Sequence, residues 1–326
     1  MSSQFEFTYI STFAGCGGSS LGYKWAGGKG LLTIEFDANA AATYRANFAT
    51  PVLERDICTV TAEEVLKLTG LKVGELDVLD GSPPCQGFST AGKRQIHDPR
   101  NSLFREFVRL IEGLQPKVFV MENVSGMVKG KMKYVFAEIM RCLKATGYTV
   151  RCQLLNAMYF NVPQSRERLV WIGVRKDVAA RGLGPQFPKA QGRPVTAGEA
   201  MAGLARCGPA PAFREWNRKL WHGQKPGQKG NGKDGCFNHV KLHPDRPSPT
   251  VPKSCVFGGF SGLYHWAECR ALSIGELAAL TSFPAAYKWP EDYEQAHNRI
   301  GNCVPPRFMQ AIAECIRDTV LRPARD

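Results

Sequence analysis

The feature that most constrains the fold is an alternation of short apolar runs with amphipathic segments in the first half of the chain. Five runs have the length and composition of buried strands, and four segments among them have helical character. The predicted strands are FTYISTF, LLTIEF, DVLDGS, KVFVMENV and LVWIGV. The predicted helices are NAAATYRANF, AEEVLKL, SLFREFVRLIEGL and YVFAEIMRCLKAT. This order is typical of βαβ units and predicts an α/β fold with a parallel sheet.

Ligands of such sheets bind beyond the carboxyl ends of the strands, so residues at those ends are the first candidates for a site. A glycine-rich turn, FAGCGGSSLG, follows the first strand and opens a helix, where backbone N–H groups can approach a ligand closely. It has neither the GxGxxG nor the GxxxxGK[ST] spacing, so a phosphate-binding P-loop is not expected. On its own, the turn is also compatible with a merely tight connection.

Acids follow the next two predicted strands at the same edge. Glu35, in IEFD, lies where an acid commonly accepts hydrogen bonds from ribose hydroxyls. Asp56, in RDI, is expected to end a further short strand, third in chain order between LLTIEF and DVLDGS, and could accept a hydrogen bond from an adenine amino group. Either acid alone could instead be a helix N-cap. Together with the glycine turn, however, the three strand ends predict one adenosine-shaped pocket.

A cysteine follows the fourth predicted strand, in GSPPCQGFST. Two prolines fix the backbone before Cys85 and remove two hydrogen-bond donors. The residues after it form a cationic loop that carries Lys93, Arg94 and Arg100. A rigid nucleophile beside such a loop suits an enzyme that closes over a bulky anion. The alternative is a buried structural thiol.

The remaining polar candidates lie on later strands. Glu122, in MENV, ends the next predicted strand, so its carboxyl should face the same cleft. In QSRERL, alternation along a strand should place Arg166 and Arg168 on one face. Arginines arranged in this way are more often salt-bridged than catalytic. Near the C-terminal end, RALSIGELAALTSFP predicts a helix with Ser273 as N-cap.

The chain is basic, and the excess is concentrated in its middle. The 326 residues carry 42 Lys and Arg against 29 Asp and Glu, a formal net charge of +13. Residues 186–266 hold twelve of these cations, four of the anions and twelve glycines, which accounts for +8. A basic excess of this size favours a polyanionic partner such as nucleic acid or a membrane surface. Interspersed aromatic residues favour a loop-rich second domain over a disordered insertion.

Localisation and metal content follow from what the sequence lacks. No apolar run has membrane-spanning length, and MSSQFEFTYI does not look like a signal peptide. We therefore expect a cytoplasmic, nucleoid-associated protein in which the eleven cysteines are mostly free thiols. The CxxH and HxxxH spacings between Cys236 and His243 could ligate zinc, but a fourth ligand is not apparent. No metal is expected.

Taken together, the motifs resemble the C5-cytosine DNA methyltransferase family. FAGCGGSSLG, IEFD, RDI, GSPPCQGFS, MENV, QSRERL, RALSIGELAALTSFP and IGNCVPP occur in the family's order and cover nearly all of the chain outside its basic middle. The resemblance implies a Rossmann-like sheet that binds S-adenosylmethionine and a smaller, loop-rich target-recognition domain. It places the catalytic and cofactor-binding domain at 1–185, completed by 293–326, and the target-recognition domain at 186–292. The expected form is the prokaryotic or phage type.

The resemblance also assigns roles to individual residues. Cys85 corresponds to the nucleophile, Glu122 to the glutamate that faces the flipped base, and Arg168, supported by Arg166, to the second arginine of QxRxR. The implied cofactor contacts are Phe13, Ala14, Gly15, Cys16, Gly17, Gly18, Glu35, Phe36, Asp56, Ile57, Pro83, Asn302 and Cys303. The expected DNA contacts are Gln86, Ser89, Lys93, Arg94 and Arg100 in the cysteine loop, and Lys225, Gln228, Lys229, Asn231 and Lys233 in the basic region.

The implied reaction is sequence-specific methylation of cytosine C5 in double-stranded DNA, through base flipping and a covalent bond between Cys85 and C6. We expect a monomer that belongs to a restriction-modification system, with any restriction endonuclease acting separately. Two alternatives stay open: a tRNA cytosine-C5 methyltransferase of the same family, and a catalytically inactive DNA-binding relative. The Gln-Gly-Phe-Ser sequence after Cys85 favours DNA, and intact Cys85, Glu122 and Arg168 count against an inactive protein.

Overall fold

The computed structural model describes residues 7–84, 103–128, 130–204, 208–230, 239–255 and 261–325. The chain divides into two compact units. The first unit comprises Met1–Leu155, Glu167–Lys189 and Met309–Asp326, and the second comprises Asn156–Arg166 and Ala190–Phe308. The predicted boundaries of the catalytic and target-recognition domains are functional assignments and stay a prediction.

The first unit is built on a seven-stranded sheet with the order β3-β2-β1-β4-β5-β8-β6. Its strands are β1 (Phe7–Thr12), β2 (Gly28–Glu35), β3 (Val52–Glu54), β4 (Val78–Gly81), β5 (Val118–Val124), β6 (Tyr148–Asn156) and β8 (Glu167–Arg175). Strands β1 to β5 pair in parallel, whereas β8 pairs antiparallel with β5. The chain order reverses between β1 and β4, and such a switch point opens a crevice at the carboxyl ends of the strands.

Helices pack on this sheet through apolar positions spaced three and four residues apart. The helices of the first unit are α1 (Gly18–Trp25), α2 (Ala38–Asn47), α3 (Ala62–Thr69), α4 (Leu103–Leu114), α5 (Lys133–Ala145), α6 (Lys176–Ala179) and most of α11 (Pro306–Ile316). In α4, Phe104, Phe107, Leu110, Ile111 and Leu114 are all buried. Truncating a core phenylalanine such as Phe107 to alanine would cost about 3–5 kcal/mol.

The second unit consists of short elements joined by long loops, as its glycine content predicts. Its strands are β7 (Gln164–Ser165), β9 (Val240–Lys241), β10 (Ser248–Pro249) and β11 (Leu263–Tyr264). Its helices are α7 (Ala197–Met201), α8 (Glu215–Gly223), α9 (Ile274–Leu280) and α10 (Tyr293–Asn302). The predicted cap of α9 is confirmed, because Ser273 and Glu276 form a reciprocal capping box.

The α/β class is confirmed, and all five predicted strands and four predicted helices occur. The prediction of an entirely parallel sheet is wrong at β8. That strand follows its sheet neighbour β6 without the helical crossover that a parallel neighbour requires. The third strand is also shorter than predicted and ends at Glu54, so Asp56 lies beyond it. Within the described ranges, every helix is too short or too polar to cross a membrane.

Candidate active site

The glycine-rich turn after β1 is held by the acid at the end of β2. The backbone N–H of Gly15 donates to Glu35 Oε2 at 2.7 Å, and that of Asp37 donates to Glu35 Oε1 at 2.8 Å. Gly15 and Gly17 have φ values of 56° and 94°, which side-chain-bearing residues rarely adopt. A Cβ at Gly17 would also clash with the ring of Phe48. These contacts explain why glycine and glutamate occupy these positions.

The ends of β2 and β3 present an aromatic ring and a carboxylate. The side chain of Phe36 is exposed, with 74% of its surface accessible, although it follows the buried residues Leu32, Thr33 and Ile34 of β2 closely. Asp56 is exposed and accepts a hydrogen bond from the Cys58 N–H at 3.0 Å, so it is the N-cap of a short 3₁₀ helix. The capping alternative therefore applies to Asp56. Its side chain remains on the exposed surface, and a ligand contact stays a prediction.

An arginine that the sequence did not single out fixes the backbone after Asp56. Arg109, on α4, donates through Nη2 to the carbonyls of Ile57 at 3.0 Å and Val60 at 2.8 Å. Its Nε contacts Glu106 at 2.8 Å, which orients the guanidinium. No local motif reveals this role, because α4 and the turn are separated by about fifty residues in the chain.

The end of β4 is fixed by a side chain from β5. Asn123 Nδ2 donates to the carbonyl of Pro83 at 2.9 Å, and both residues are buried. The asparagine therefore holds the peptide that leads into Cys85. The motif MENV contains this residue, but the spacing alone indicated only its glutamate. Cys85 itself lies outside the described residues, as do Gln86, Ser89, Lys93, Arg94 and Arg100.

Glu122 and Arg168 form an ion pair across β5 and β8. Glu122 Oε1 lies 2.7 Å from Arg168 Nε, and the two side chains are 9% and 13% exposed. In the strand register, Arg168 is opposite Val124, so it reaches Glu122 diagonally. The structure thus brings Glu122 and Arg168 into direct contact, and their catalytic roles stay predictions. The arrangement places an acceptor and a donor side by side at the end of a strand.

Arg166 has different partners from Arg168. It lies between β7 and β8, so the prediction of one shared strand face is wrong: the break between the two strands falls at this residue. Its guanidinium is buried in the second unit and donates to the carbonyls of Val251, Gly301 and Cys303 at 3.3, 3.0 and 2.9 Å. We interpret Arg166 as an internal support of that unit.

Two predicted cofactor contacts also belong to the second unit. Asn302 is exposed and is the last residue of α10, which ends three residues before Pro305. Cys303 is buried, and its Sγ donates to the carbonyl of Ile300 at 3.0 Å. The cofactor roles of both residues stay predictions.

The described part of the basic region contains an exposed turn. Lys225, Gln228 and Lys229 are all exposed, and Gly227 within the turn has a φ of 83°. The backbone N–H of Lys225 donates to Gln228 Oε1 at 3.0 Å, so the glutamine stabilises its own turn. Asn231 and Lys233 lie outside the described residues.

The Cys236–His243 segment is described only from His239 onwards. Among the residues the structure describes, no group of three or more His, Cys, Asp and Glu could hold a metal ion. Cys236 is not one of them. His239 is buried, and its Nδ1 lies 2.5 Å from the hydroxyl of Tyr264.

Sequence comparison identifies a family for nearly the whole chain. The model of C-5 cytosine-specific DNA methylases matches residues 7–206 and 209–318. The Type II methyltransferase M1.HphI of Haemophilus parahaemolyticus is 36% identical over 334 residues, with 95% of this chain and 87% of the relative covered. The Type II methyltransferase M.DdeI of Desulfomicrobium norvegicum is 32% identical, with 94% and 88% covered.

Comparison with solved structures agrees at the level of the fold. A prophage-encoded E. coli protein, described as a DNA modification methyltransferase, superposes with a TM-score of 0.77. The match covers 96% of this chain and 99% of that one at 22% sequence identity. At this identity the likeness shows a shared Rossmann-like fold.

Proposed function

Because the chain belongs to the C-5 cytosine-specific DNA methylase family and is a DNA cytosine-5 methyltransferase, we propose that it methylates one cytosine within a specific sequence of double-stranded DNA. The proposed methyl donor is S-adenosylmethionine. The observation that carries the proposal is the ion pair of Glu122 with Arg168 at the end of β5, where the chain also fixes the peptide leading to Cys85.

The residues at the ends of β1, β2 and β3 fit the proposed donor. The exposed ring of Phe36 offers a flat apolar surface for an adenine ring. Glu35 accepts one N–H through each oxygen, and a carboxylate has further lone pairs for ribose hydroxyls. A Cβ at Gly15 would meet no atom within 4 Å, so the turn leaves room for a ligand. When bound, the donor supplies an electrophilic methyl group on a sulfonium.

The Glu122–Arg168 pair matches the polar edge of a flipped cytosine. A carboxyl group can give a proton to N3 and accept a hydrogen bond from the exocyclic amine, and a guanidinium can donate to O2. Both groups lie close together and are largely removed from water, which strengthens their interaction with a base. We propose these contacts as the reason why the pair occupies the strand ends.

The proposed chemistry begins at Cys85. Its thiolate adds to C6, and the electrons of the C5=C6 bond move through C4 to N3, which takes up a proton from Glu122. This makes C5 nucleophilic enough to take the methyl group, and cleavage of the sulfonium S–CH3 bond would release S-adenosylhomocysteine. A base then removes the C5 proton, the C6–S bond breaks to release the thiolate, and N3 returns its proton to Glu122.

The second unit supplies the proposed DNA-reading surface. Exposed lysines such as Lys225 and Lys229 can neutralise phosphates, and a glycine-rich turn allows close approach to a groove. Gln228 already uses its amide oxygen within the turn, so it would read a base through its amide nitrogen. We propose that residues 186–292 provide sequence recognition.

Transfer of the labelled methyl group of S-adenosylmethionine tests the proposal. We expect incorporation into duplex DNA at one recurrent sequence and none into tRNA, and bisulfite sequencing should place the label on cytosine. Cys85→Ser should abolish incorporation and retain DNA binding. Labelling of tRNA alone would show that the protein is a tRNA cytosine-C5 methyltransferase of the same family. The absence of labelling on both substrates would overturn the proposal.

The names of the relatives suggest a biological setting. We propose that the protein acts as a monomer and protects DNA in a Type II restriction-modification system, with a separate endonuclease that cuts the same sequence. Analytical ultracentrifugation of the protein tests whether it is a monomer. Resistance of methylated DNA to endonucleases of known sequence tests the protection, and cleavage of fully methylated DNA by every such enzyme would contradict it.

A further inference from the structure

Two buried aspartates tie β1 to β4, at opposite ends of these strands. Asp77, which precedes β4, accepts hydrogen bonds from the Thr8 N–H at 2.9 Å and from Lys117 Nζ at 2.7 Å. Asp80, within β4, accepts from Ser11 Oγ at 2.9 Å and from the Tyr23 hydroxyl at 3.3 Å. The aspartates are 3% and 1% exposed. Arg325 Nη2 also lies 3.2 Å from Asp77 Oδ2, so Asp77 has two cationic partners, whereas Asp80 accepts hydrogen bonds from hydroxyl groups.

The partners of Asp80 come from the segments that flank the candidate site. Ser11 pairs with Asp80 in the strand register and lies two residues before Phe13, where the glycine-rich turn begins. Tyr23 belongs to α1, the helix that follows the turn. Asp80 itself lies three residues before Pro83, whose carbonyl is held by Asn123. One carboxyl group thus joins both ends of the turn to the strand that leads into Cys85.

We propose that Asp80 is a positioning residue for methyl transfer, which holds the cofactor-side turn and the nucleophile-side strand end at a fixed separation. This inference rests on the proposed function, because it assigns the two sides of the site to donor and nucleophile. Its physical basis is that transfer rates fall steeply when reacting groups are displaced by as little as about 1 Å. The family motifs contain no corresponding signal, since the role depends on contacts among three segments.

The electrostatics of Asp80 separate this role from a structural one. Burial raises the pKa of Asp80 from 3.8 to about 7, and the charge of Glu122 adds to this rise. The hydrogen bonds from Ser11, Tyr23 and Ser19 oppose it. A raised pKa means that the stabilisation from the bound proton is complete below the pKa of the unfolded chain and is lost as pH rises through about 7. Ionised Asp80 is therefore a cost to stability, which is typical of functional groups.

The experiment compares Asp80→Asn with the matched control Asp77→Asn in the full-length protein. Single-turnover methylation of duplex DNA gives the rate of the chemical step, calorimetry gives the affinity for S-adenosylmethionine, and thermal unfolding at pH 6 and pH 8.5 gives stability. For Asp80→Asn we expect the rate to fall about tenfold or more while cofactor affinity changes less than about threefold. Its melting temperature at pH 8.5 should equal or exceed that of the wild type.

The control should behave in the opposite way. Asp77→Asn leaves Lys117 without its carboxylate, so the melting temperature should fall while the rate per folded molecule is unchanged. The wild-type rate should rise with pH through about 7 as Asp80 ionises and accepts its hydrogen bonds. Formation of the Cys85 thiolate raises the rates of both proteins with pH, so the readout is the ratio of the wild-type rate to the Asp80→Asn rate, which should increase with pH through about 7.

Three results would overturn the inference. They are a wild-type rate in Asp80→Asn, a parallel loss of rate and stability like that of a purely structural residue, and a ratio of the two rates that does not change with pH. If Asp80→Asn does not fold, Ser11→Ala removes one donor and should lower the rate by a smaller factor, and an unchanged rate would contradict the role. A wild-type protein that is inactive on every duplex would instead show that the proposed function fails, and the inference with it.

Discussion

Two buried ion pairs, one in each compact unit, differ in how completely their groups are hydrogen-bonded. In the second unit, Nη1 and Nη2 of Arg270 each donate to Glu276 at 2.8 Å. Glu276 also accepts the backbone N–H of Ser273 in the helix cap. In the first unit, Glu122 Oε1 lies 2.7 Å from Arg168 Nε, and Arg168 Nη1 donates to the backbone carbonyl of Glu167 at 2.7 Å. The carboxylate side chains are similarly buried, with 4% and 9% exposed.

The difference teaches what each pair is suited to do. A bidentate pair that also caps a helix uses most of its lone pairs and protons, so it serves the fold. Glu122 lies on a strand and completes no helix cap, so its carboxylate keeps lone pairs that can accept a further hydrogen bond. Equal burial therefore does not mean equal function, and substitutions in the two pairs should have separable consequences.

The largest expected effect is on catalysis by the first pair. Glu122→Gln keeps the shape and an acceptor for Arg168, but it cannot give a proton to N3. We expect kcat to fall by about 10²–10⁴-fold while DNA affinity stays near the wild-type value. Steady-state methylation at saturating substrates measures kcat, and DNA titration measures the affinity. A kcat within threefold of wild type would show that this pair, like the second one, serves only the fold.

The second pair should respond in stability. Arg270→Met leaves the largely buried Glu276 without its partner, so the free energy of unfolding should fall by about 3–5 kcal/mol. Chemical denaturation measures this loss, and kcat per folded molecule should be unchanged. Equal stability with reduced kcat would reverse the roles assigned to the two pairs.

The pH dependence of that stability sharpens the comparison. Burial alone would raise the pKa of Glu276, but the hydrogen bonds from Arg270 and Ser273 outweigh it and lower the pKa below 4.5. This stabilisation is present above the unfolded pKa and is lost as pH falls through the folded value. The stability difference between wild type and Arg270→Met should therefore shrink from pH 7 to pH 3.5. If this stability difference stayed constant from pH 7 to pH 3.5, ionised Glu276 would not be its source.

The smallest expected effect concerns the exposed cations. Lys225→Ala combined with Lys229→Ala should reduce the slope of log affinity against log salt by about one unit per lysine. The rate at saturating DNA should be unchanged, because both residues are exposed on a turn. Lys24→Ala with Lys29→Ala in the first unit provides a control of equal charge change. An equal reduction of the slope in the control variant would show that the turn with Lys225 and Lys229 is not a specific DNA-binding site.

Local features of the molecule were predictable from the sequence. The capping box of α9 depends on a serine and a glutamate three residues apart, so its pattern is complete within one turn of helix. The positions of Glu35 at the end of β2 and of Glu122 two residues before the end of β5 follow from apolar runs that stop at those residues. The α/β class follows from the same alternation, because it depends on element order.

Features that depend on distant contacts were not predictable. The antiparallel direction of β8 depends on how the chain returns to the sheet after β6, which residue spacing does not reveal. The hydrogen bond from Asn123 to the carbonyl of Pro83 joins residues forty positions apart. Arg166 and Arg168 are two residues apart in the chain, yet a strand break gives them different partners. In each case the strand direction or the hydrogen-bond partner depends on tertiary packing, which the local sequence pattern does not determine.

The covalent bond between Cys85 and the target base is the central claim of this account. Duplex DNA with 5-fluorocytosine at the target position tests it, because the fluorine at C5 cannot leave as a proton and the adduct persists. With S-adenosylmethionine present, mass spectrometry should find one methylated fluorocytosine attached to the peptide that contains Cys85. An adduct on another cysteine, or methylation of ordinary duplex DNA with no adduct on the fluorinated one, would contradict the mechanism.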